Sequence, residues 1–296
     1  MERFTYTKAI GLTVLSASMT DFVYKRHAHE EYALGVTLKG VQQYHLGGTL
    51  YSSHPNGVML FNPEQVHDGC SGDPGGLEYV MLYVPTALFA QACGLRDAVR
   101  FDAPVVYDGG LAAGILRLAG SVAAGRDPAL ISEQLLDVAS RAARTSVCVQ
   151  PGRKDAAVRR AMEFMRASQD GHLRLSDLCG EVRMSKYHFI RHFKALTGIS
   201  PYQFFLNCKA EQAKRLLEES GDVYAAVLRH GFCDLSHLNR HFKRIYGVTA
   251  SEYARTFARG ALRAPSALPC GPTAHREGGG EKFRALPASL PHTTRS

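Results

Sequence analysis

One segment of this chain occurs twice. His188-Phe189-Ile190-Arg191-His192-Phe193-Lys194, followed by Gly198-Ile199-Ser200, returns 49 residues later as His237-Leu238-Asn239-Arg240-His241-Phe242-Lys243, followed by Gly247-Val248-Thr249. Only Ile190 and Asn239 are dissimilar within the aligned stretch. A repeat of this length means one structural unit built twice, and its punctuation says which. Ser176 can cap a short helix carrying Leu178 and Val182. A tight turn follows, Ser185 caps a second helix, and Gly198 ends it. In the second copy a helix from about Tyr224 holds Ala226 and Val227, Gly231 makes the turn, Asp234 caps the next helix and Gly247 ends it. Two helices joined by a turn of three or four residues make a helix-turn-helix.

Helical periodicity sorts the faces of the second helix in each unit. Phe189, Phe193 and Leu196 are expected in the core, as are Leu238, Phe242 and Ile245. Ser185, Lys186, Tyr187, Ile190, Arg191 and Lys194 are left outward in the first unit; Leu235, Ser236, Asn239, Arg240 and Lys243 are left outward in the second. Arg191 and Arg240 can each grip a guanine edge, Asn239 suits adenine, and the lysines suit phosphate. An apolar contact with a thymine methyl group would account for Ile190 and Tyr187; padding of a neighbouring helix is the lesser alternative. Between the units, Ser200-Pro201 starts a helix that runs to about Glu219 before Ser220-Gly221. Its length of about 28 Å approaches one turn of DNA, about 34 Å. Thr249-Ala250-Ser251-Glu252 reads as a capping box for a last short helix.

Charge supports the same partner. Residues 1–152 carry 11 Lys/Arg against 14 Asp/Glu, residues 153–259 carry 19 against 11, and residues 260–296 carry 5 against 2. The chain's net charge of +8 therefore lies wholly after residue 152, as expected of a half that meets phosphate.

The acidic first half is organised differently. Tyr32 to Leu38, Val41 to Leu46, Val58 to Phe61 and Tyr79 to Val84 read as strands. They are separated by turn signals at Lys39-Gly40, Gly47-Gly48, Pro55-Asn56-Gly57, Asn62-Pro63 and residues 71–76, which is the pattern of a sandwich or barrel. From Leu111 the spacing becomes helical: Leu111, Ile115, Leu118 and Val122 form one stripe, and Leu130, Leu135, Leu136, Val138 and Ala139 form another after Asp127-Pro128. The residues leave open whether these two helices form a dimer contact or only pack on the β-domain. Gln150-Pro151-Gly152 reads as a linker, and the tail after Gly260, with its prolines and glycines and no periodicity, reads as disordered. The expected domains are 1–108 (β), 109–150 (helical, dimerisation or linker), 151–259 (double helix-turn-helix) and 260–296 (tail). The fold class is α+β. No apolar run approaches the roughly 18–20 residues of a membrane span, so a cytoplasmic protein with no membrane partner is expected. Seven scattered cysteines without a Cys-x-x-Cys pair form neither a disulfide framework nor a zinc site.

Met184-Ser185-Lys186-Tyr187-His188-Phe189-Ile190-Arg191-His192-Phe193-Lys194 through Pro201, with Gly231-Phe232 and the second copy, resembles the AraC/XylS family of bacterial transcription regulators over about 100 residues. The resemblance implies promoter DNA as partner, RNA polymerase contact, a homodimer, and base-facing roles for Tyr187, Ile190, Arg191, Leu235, Ser236, Asn239 and Arg240. It also implies that residues 1–20 form a regulatory arm. Two positions depart from the family pattern: Arg183 stands where the first turn usually has glycine, which implies a strained turn or an added phosphate contact, and Ala250 replaces a proline. His27 to Gly40 with Gly57 to His67 looks like a cupin-type sensor domain, a β-barrel or jelly roll that takes a small-molecule effector. His27, His29, Glu31, Tyr32 and His67 are its candidate polar lining. Two histidines at i and i+2 on a strand point the same way, and with His67 they could hold a metal. The pattern of metal-dependent cupin enzymes nevertheless fails here: Ala33 and Leu34 stand where it has a glutamate, Gln65 stands where it has a glycine, and His67 comes one residue early. The reading is therefore a regulator with no catalytic residues, no cofactor and no metal. A metal-dependent cupin enzyme and a thiol-based sensor, with Cys70, Cys179 and Cys208 as its candidates, are the alternatives.

Overall fold

The computed structural model describes residues 2–94, 99–147, 156–168 and 173–261. The expected linker at 150–152 and nearly all of the tail expected from 260 lie outside them.

The first half is a two-sheet β-structure. Its strands in chain order are β1 (Arg3–Ala9), β2 (Leu12–Met19), β3 (Tyr24–His27), β4 (Tyr32–Lys39), β5 (Gln42–Leu46), β6 (Thr49–Ser53), β7 (Val58–Phe61), β8 (His67–Ser71) and β9 (Leu77–Val84). Helix α1 (Thr86–Cys93), the short strands β10 (Arg100–Phe101) and β11 (Val105–Val106), helices α2 (Gly109–Ala123) and α3 (Pro128–Arg144), and β12 (Ser146–Val147) follow. The large sheet has the order β1-β2-β9-β4-β7-β11 and the small one β3-β8-β5-β6, while β10 and β12 pair as a separate two-stranded ribbon. The apolar run at Tyr79 lies in β9, which is paired on both sides, by β2 and by β4. Its residues alternate: Leu77, Tyr79, Met81 and Tyr83 face the space between the sheets, while Val80, Leu82 and Val84 face a second core with α2 and α3. A strand covered on both faces needs such an unbroken apolar run.

Residues 1–20 are not a free arm. From Arg3 to Met19 they form the hairpin β1–β2, registered Arg3↔Ser18 to Ala9↔Leu12, which extends the large sheet. Strands β3, β6 and β8 escape a reading by periodicity because they are short and carry polar residues on their outer faces. The helices α2 and α3 pack Leu111, Ile115, Leu118, Ile131, Leu135 and Val138 onto the sheet. Leu130 and Leu136 of the expected stripe stay exposed.

The second half is helical: α4 (Ala156–Ala167), α5 (Leu175–Val182), α6 (Lys186–Thr197), α7 (Pro201–Ser220), α8 (Val223–Arg229), α9 (Leu235–Tyr246) and α10 (Ala250–Ala261). The first unit, α5–α6, closes its core on α4 and the start of α7 through Met162, Leu178, Phe189, Phe193 and Phe204. The second unit, α8–α9 with α10, contributes Leu238, Phe242, Ile245 and Tyr253 to the same core that fills the β-sheets. The space between the sheets is therefore closed by the helical second half of the chain.

Two turns require glycine. Gly40 has φ +74°, and a Cβ there would lie 2.1 Å from the Gly76 carbonyl oxygen. Gly247 has φ +77°, and a Cβ would strike the Phe4 ring at 2.7 Å. Because the obstacle at Gly40 is backbone, Gly40→Ala is expected to cost about 2–4 kcal/mol; urea unfolding of the purified variant checks this.

Candidate nucleic-acid interface and ligand site

Each helix-turn-helix is set by local chemistry. Asp234 accepts the His237 N–H at 2.6 Å, Thr249 and Glu252 exchange hydrogen bonds as the capping box requires, and Ser200 accepts the Gln203 N–H at 3.2 Å with Pro201 following. Gly198, Gly221 and Gly247 end their helices in the left-handed region. The start of α5 differs from expectation: its cap is Arg174, not Ser176, and the Asp177 carboxylate accepts the Arg174 N–H at 3.2 Å. This bond to a charged acceptor starts the helix two residues before a Ser176 cap would. Arg183 closes the first turn at φ +53°, so the strain implied by the missing glycine is present, on the order of 1–2 kcal/mol. In the second unit Gly231 takes φ +59° without that cost. Lys209 of α7 reaches its carbonyl at 2.5 Å and lies 4.8 Å above the Phe232 ring, pinning the turn to the long helix.

On α6, Ser185, Lys186, Tyr187, Arg191 and Lys194 are exposed, with Tyr187 at 76%. Ile190 is half-buried and helps line an apolar hollow with Leu178, Pro201 and Phe205. On α9, Ser236, Arg240 and Lys243 are exposed and Leu235 packs against the shared core. The Oδ1 of Asn239 accepts the Ala250 N–H at 3.0 Å, so that atom serves the start of α10. Bidentate reading of adenine uses the same oxygen as an acceptor, and its second lone pair stays available for that. Leu196, expected in the core, is 55% exposed. The chain leaves α6 one turn after Phe193, and Leu196 instead borders a cleft of about 500 Å³ with Arg26, Arg100, Gln65, Met162 and Phe204.

Three histidines meet inside the β-half. His27 and His67 are directly opposed across β3 and β8, and His29 reaches them from the loop that follows β3. All three are buried. His27 Nδ1 lies 2.6 Å from the Lys25 carbonyl oxygen and His67 Nδ1 lies 2.8 Å from that of Gln65. Carbonyl oxygens only accept, so both rings carry their proton on Nδ1 and turn a bare Nε2 inward. His29 Nε2 lies 3.0 Å from His27 Nε2 and donates to it. Burial holds His27 and His29 well below the ordinary histidine range, reinforced by their neighbours, and lowers His67 to about 4. The imidazoles are neutral at pH 7.

Glu31 joins this group from the side. Lys214 of α7 lies 3.0 Å from Glu31 and 3.3 Å from Glu211, and Tyr246 donates to Glu211 at 2.6 Å. Burial alone would lower the Lys214 ammonium, but Glu211, Glu31 and Glu218 more than offset it and raise its pKa. Around this centre Arg166 binds Glu64 at 2.8 Å, Arg215 binds Glu30, Lys8 binds Glu218 at 2.5 Å, and the Tyr6 hydroxyl donates to the Tyr246 carbonyl at 2.8 Å. Tyr32 does not join. It lies on the opposite face of β4, among Phe89 and Phe101, with its hydroxyl on the Val99 carbonyl at 2.6 Å.

Comparison with known proteins matches both halves. Residues 9–139 match the AraC-like ligand binding domain family and residues 178–256 match a helix-turn-helix domain family. The chain belongs to the AraC/XylS family of transcriptional regulators. It is 26% identical over 224 residues to the HTH-type transcriptional regulator YbfI of Bacillus subtilis, covering 73% of this chain and 81% of that one. It is 34% identical over 98 residues to the MmsAB operon regulatory protein of Pseudomonas aeruginosa, covering 33% and 32% of the two chains. ToxT from Vibrio cholerae has the same fold, with a TM-score of 0.56 at 12% identity over 83% of this chain and 98% of that one. The regulator thus pairs a helix-turn-helix DNA-binding domain with a small-molecule-binding domain. Among the described residues no helix is long and apolar enough to cross a membrane.

Sequence reasoning placed His27, His29, Glu31 and His67 together as neighbours but missed Glu211, Lys214, Tyr83 and Tyr246. In the sequence Lys214 is one more cation of a basic helix; only the fold shows it buried between two carboxylates. Removing it leaves two buried acids uncompensated, so Lys214→Met in this regulator is expected to cost about 3–5 kcal/mol, readable as a lower urea midpoint at neutral pH.

Proposed function

We propose that this regulator sets α6 and α9 into successive major grooves on one face of promoter DNA, and that an effector held by its N-terminal domain changes how the two helices are presented. The observation that carries the reading is the pair of recognition helices with exposed basic faces at either end of α7. That helix has twenty residues and so spans about 30 Å, against about 34 Å for one turn of DNA. Ser185, Lys186, Tyr187, Ile190, Arg191 and Lys194 form the first contact surface; Leu235, Ser236, Asn239, Arg240 and Lys243 form the second, with Asn239 also bracing α10. We assign residues 1–108 to effector sensing, 109–150 to a helical segment and 151–259 to DNA binding. Exposed Leu130 and Leu136 on α3 favour a homodimer contact there. The family likeness supports recruitment of RNA polymerase and a cytoplasmic location as further parts of this reading.

The regulator acts by binding, not by catalysis. Relatives include the bifunctional activator and DNA repair enzyme Ada of Escherichia coli, matched over 85 residues and 24% of that chain. An acceptor thiol needs a lowered pKa, whereas burial pushes Cys70 and Cys93 up and Cys208 up to about 12. A ligand of the N-terminal domain reaches both halves most directly at the cleft between the small sheet and the first unit, where Arg26 and Arg100 stand among Met162, Leu196 and Phe204. That lining suits a small amphipathic anion.

Full-length protein is expected to bind its cognate promoter specifically, with affinity falling as salt rises. Arg240→Ala should lose about 1–3 kcal/mol and relax preference at one base pair. Lys243→Ala should weaken binding to all sequences alike and reduce the salt slope by about 1. Titration of wild type and variants against an operator library reads all three. If Arg240→Ala discriminates as wild type does, the assigned face of α9 is wrong.

A further inference from the structure

We propose that His27, His29 and His67 form a binding site for a divalent transition-metal ion of the zinc class. The inference rests on the cluster itself and is independent of the DNA-binding reading. The three side chains offer nitrogen atoms that all lie within 4.8 Å of one another. A tetrahedral zinc ion, about 2.0–2.1 Å from each nitrogen, needs them about 3.3 Å apart, so modest ring rotations close the set.

Four features of the surroundings favour an ion. The Nδ1 atoms of His27 and His67 donate to the Lys25 and Gln65 carbonyls, the outer hydrogen bond that fixes a ligating histidine in the correct tautomer. Imidazole nitrogens are donors that zinc prefers, and His29 needs only to move its proton to Nδ1. Aromatic rings hem the cluster in: Phe61 stacks on His67 at 4.3 Å, Tyr83 meets His29 at 4.8 Å and Tyr24 lies 5.9 Å from His27. Last, His29 belongs to a second convergent group with Glu31 and Glu211. The Glu31 Oε2 is buried without a hydrogen-bond partner, so one carboxylate oxygen beside His29 is free to accept a cation, and Glu31 is the candidate fourth ligand through that shared histidine. Because Glu31 is also the partner of Lys214 on α7, an ion drawing on Glu31 competes with an ion pair that joins the two halves of the chain.

The test uses the full chain, stripped with chelator and titrated with Zn²⁺ against a chromophoric competitor, and in parallel with Co²⁺ followed by visible absorption. The expected result is about one ion per chain at sub-micromolar affinity, with a Co²⁺ spectrum of tetrahedral intensity. His67→Gln is expected to weaken Zn²⁺ binding by more than the roughly 100-fold that outer-shell changes reach, while the metal-free protein melts as wild type does. The double variant His237→Gln, His241→Gln, which removes the neighbouring histidine pair on α9, is expected to bind as wild type. No stoichiometric uptake, a Co²⁺ spectrum of octahedral intensity, or undiminished binding in His67→Gln would each overturn the site. The wild-type Co²⁺ spectrum decides the matter even if His67→Gln fails to fold.

Discussion

The architecture depends on β9 and β4 being buried on both faces. A strand with one wet face would have allowed the β-half to stand alone. Here Val80, Leu82 and Val84 commit one face to α2 and α3, while Tyr79, Met81 and Tyr83 commit the other to the space between the sheets. The small sheet fills that space only in part. The remainder is filled by Leu238, Phe242, Tyr246 and Tyr253 from the second helix-turn-helix. The core of the sensor and the core of a DNA-binding unit are therefore one body of apolar side chains, and a shift in either is felt by the other because packed interiors do not deform smoothly.

Charge reinforces this junction, and it changes what the basic second half means. Part of that positive charge never faces DNA. Arg166, Lys214 and Arg215 are taken up by Glu64, Glu31 and Glu30 of the acidic first half, while the cations of α6 and α9 remain exposed. An effector regulates only through a difference in affinity between two states. The ion pairs between the two halves, of which Lys214–Glu31 is the most deeply set, are a place where such a difference can arise, because a small displacement there leaves charges unpaired.

Much was legible in the sequence because it is local. The doubled segment, the glycines that end α6, α7 and α9, the Asp234 cap and the Thr249–Glu252 box are each written within a few residues of where they act. The failures share a cause as well. Ser176 lost to Arg174 because Asp177 holds the Arg174 N–H and the helix starts two residues earlier. Leu196 fits the helical stripe but lies past the point where the core ends. The bond from the Ala250 N–H to Asn239, eleven residues back, is likewise not written in the outer stripe on which Asn239 sits. Tyr32 shares the histidine segment in sequence but faces the other way, because the pleat of β4 sends it to the opposite side.

By itself the sequence determined the family, the α+β class, the two units and the length of the rod between them, since these follow from periodicity and punctuation over short stretches. It also held the three histidines, but not what surrounds them. Only the tertiary structure decided that residues 3–19 are sheet and not arm, that His27 stands opposite His67, and that Lys214 lies buried between Glu31 and Glu211. Those facts depend on strand pairing and on contacts between residues up to 183 positions apart, and no local pattern records which distant side chain will complete a buried charge or a shared core.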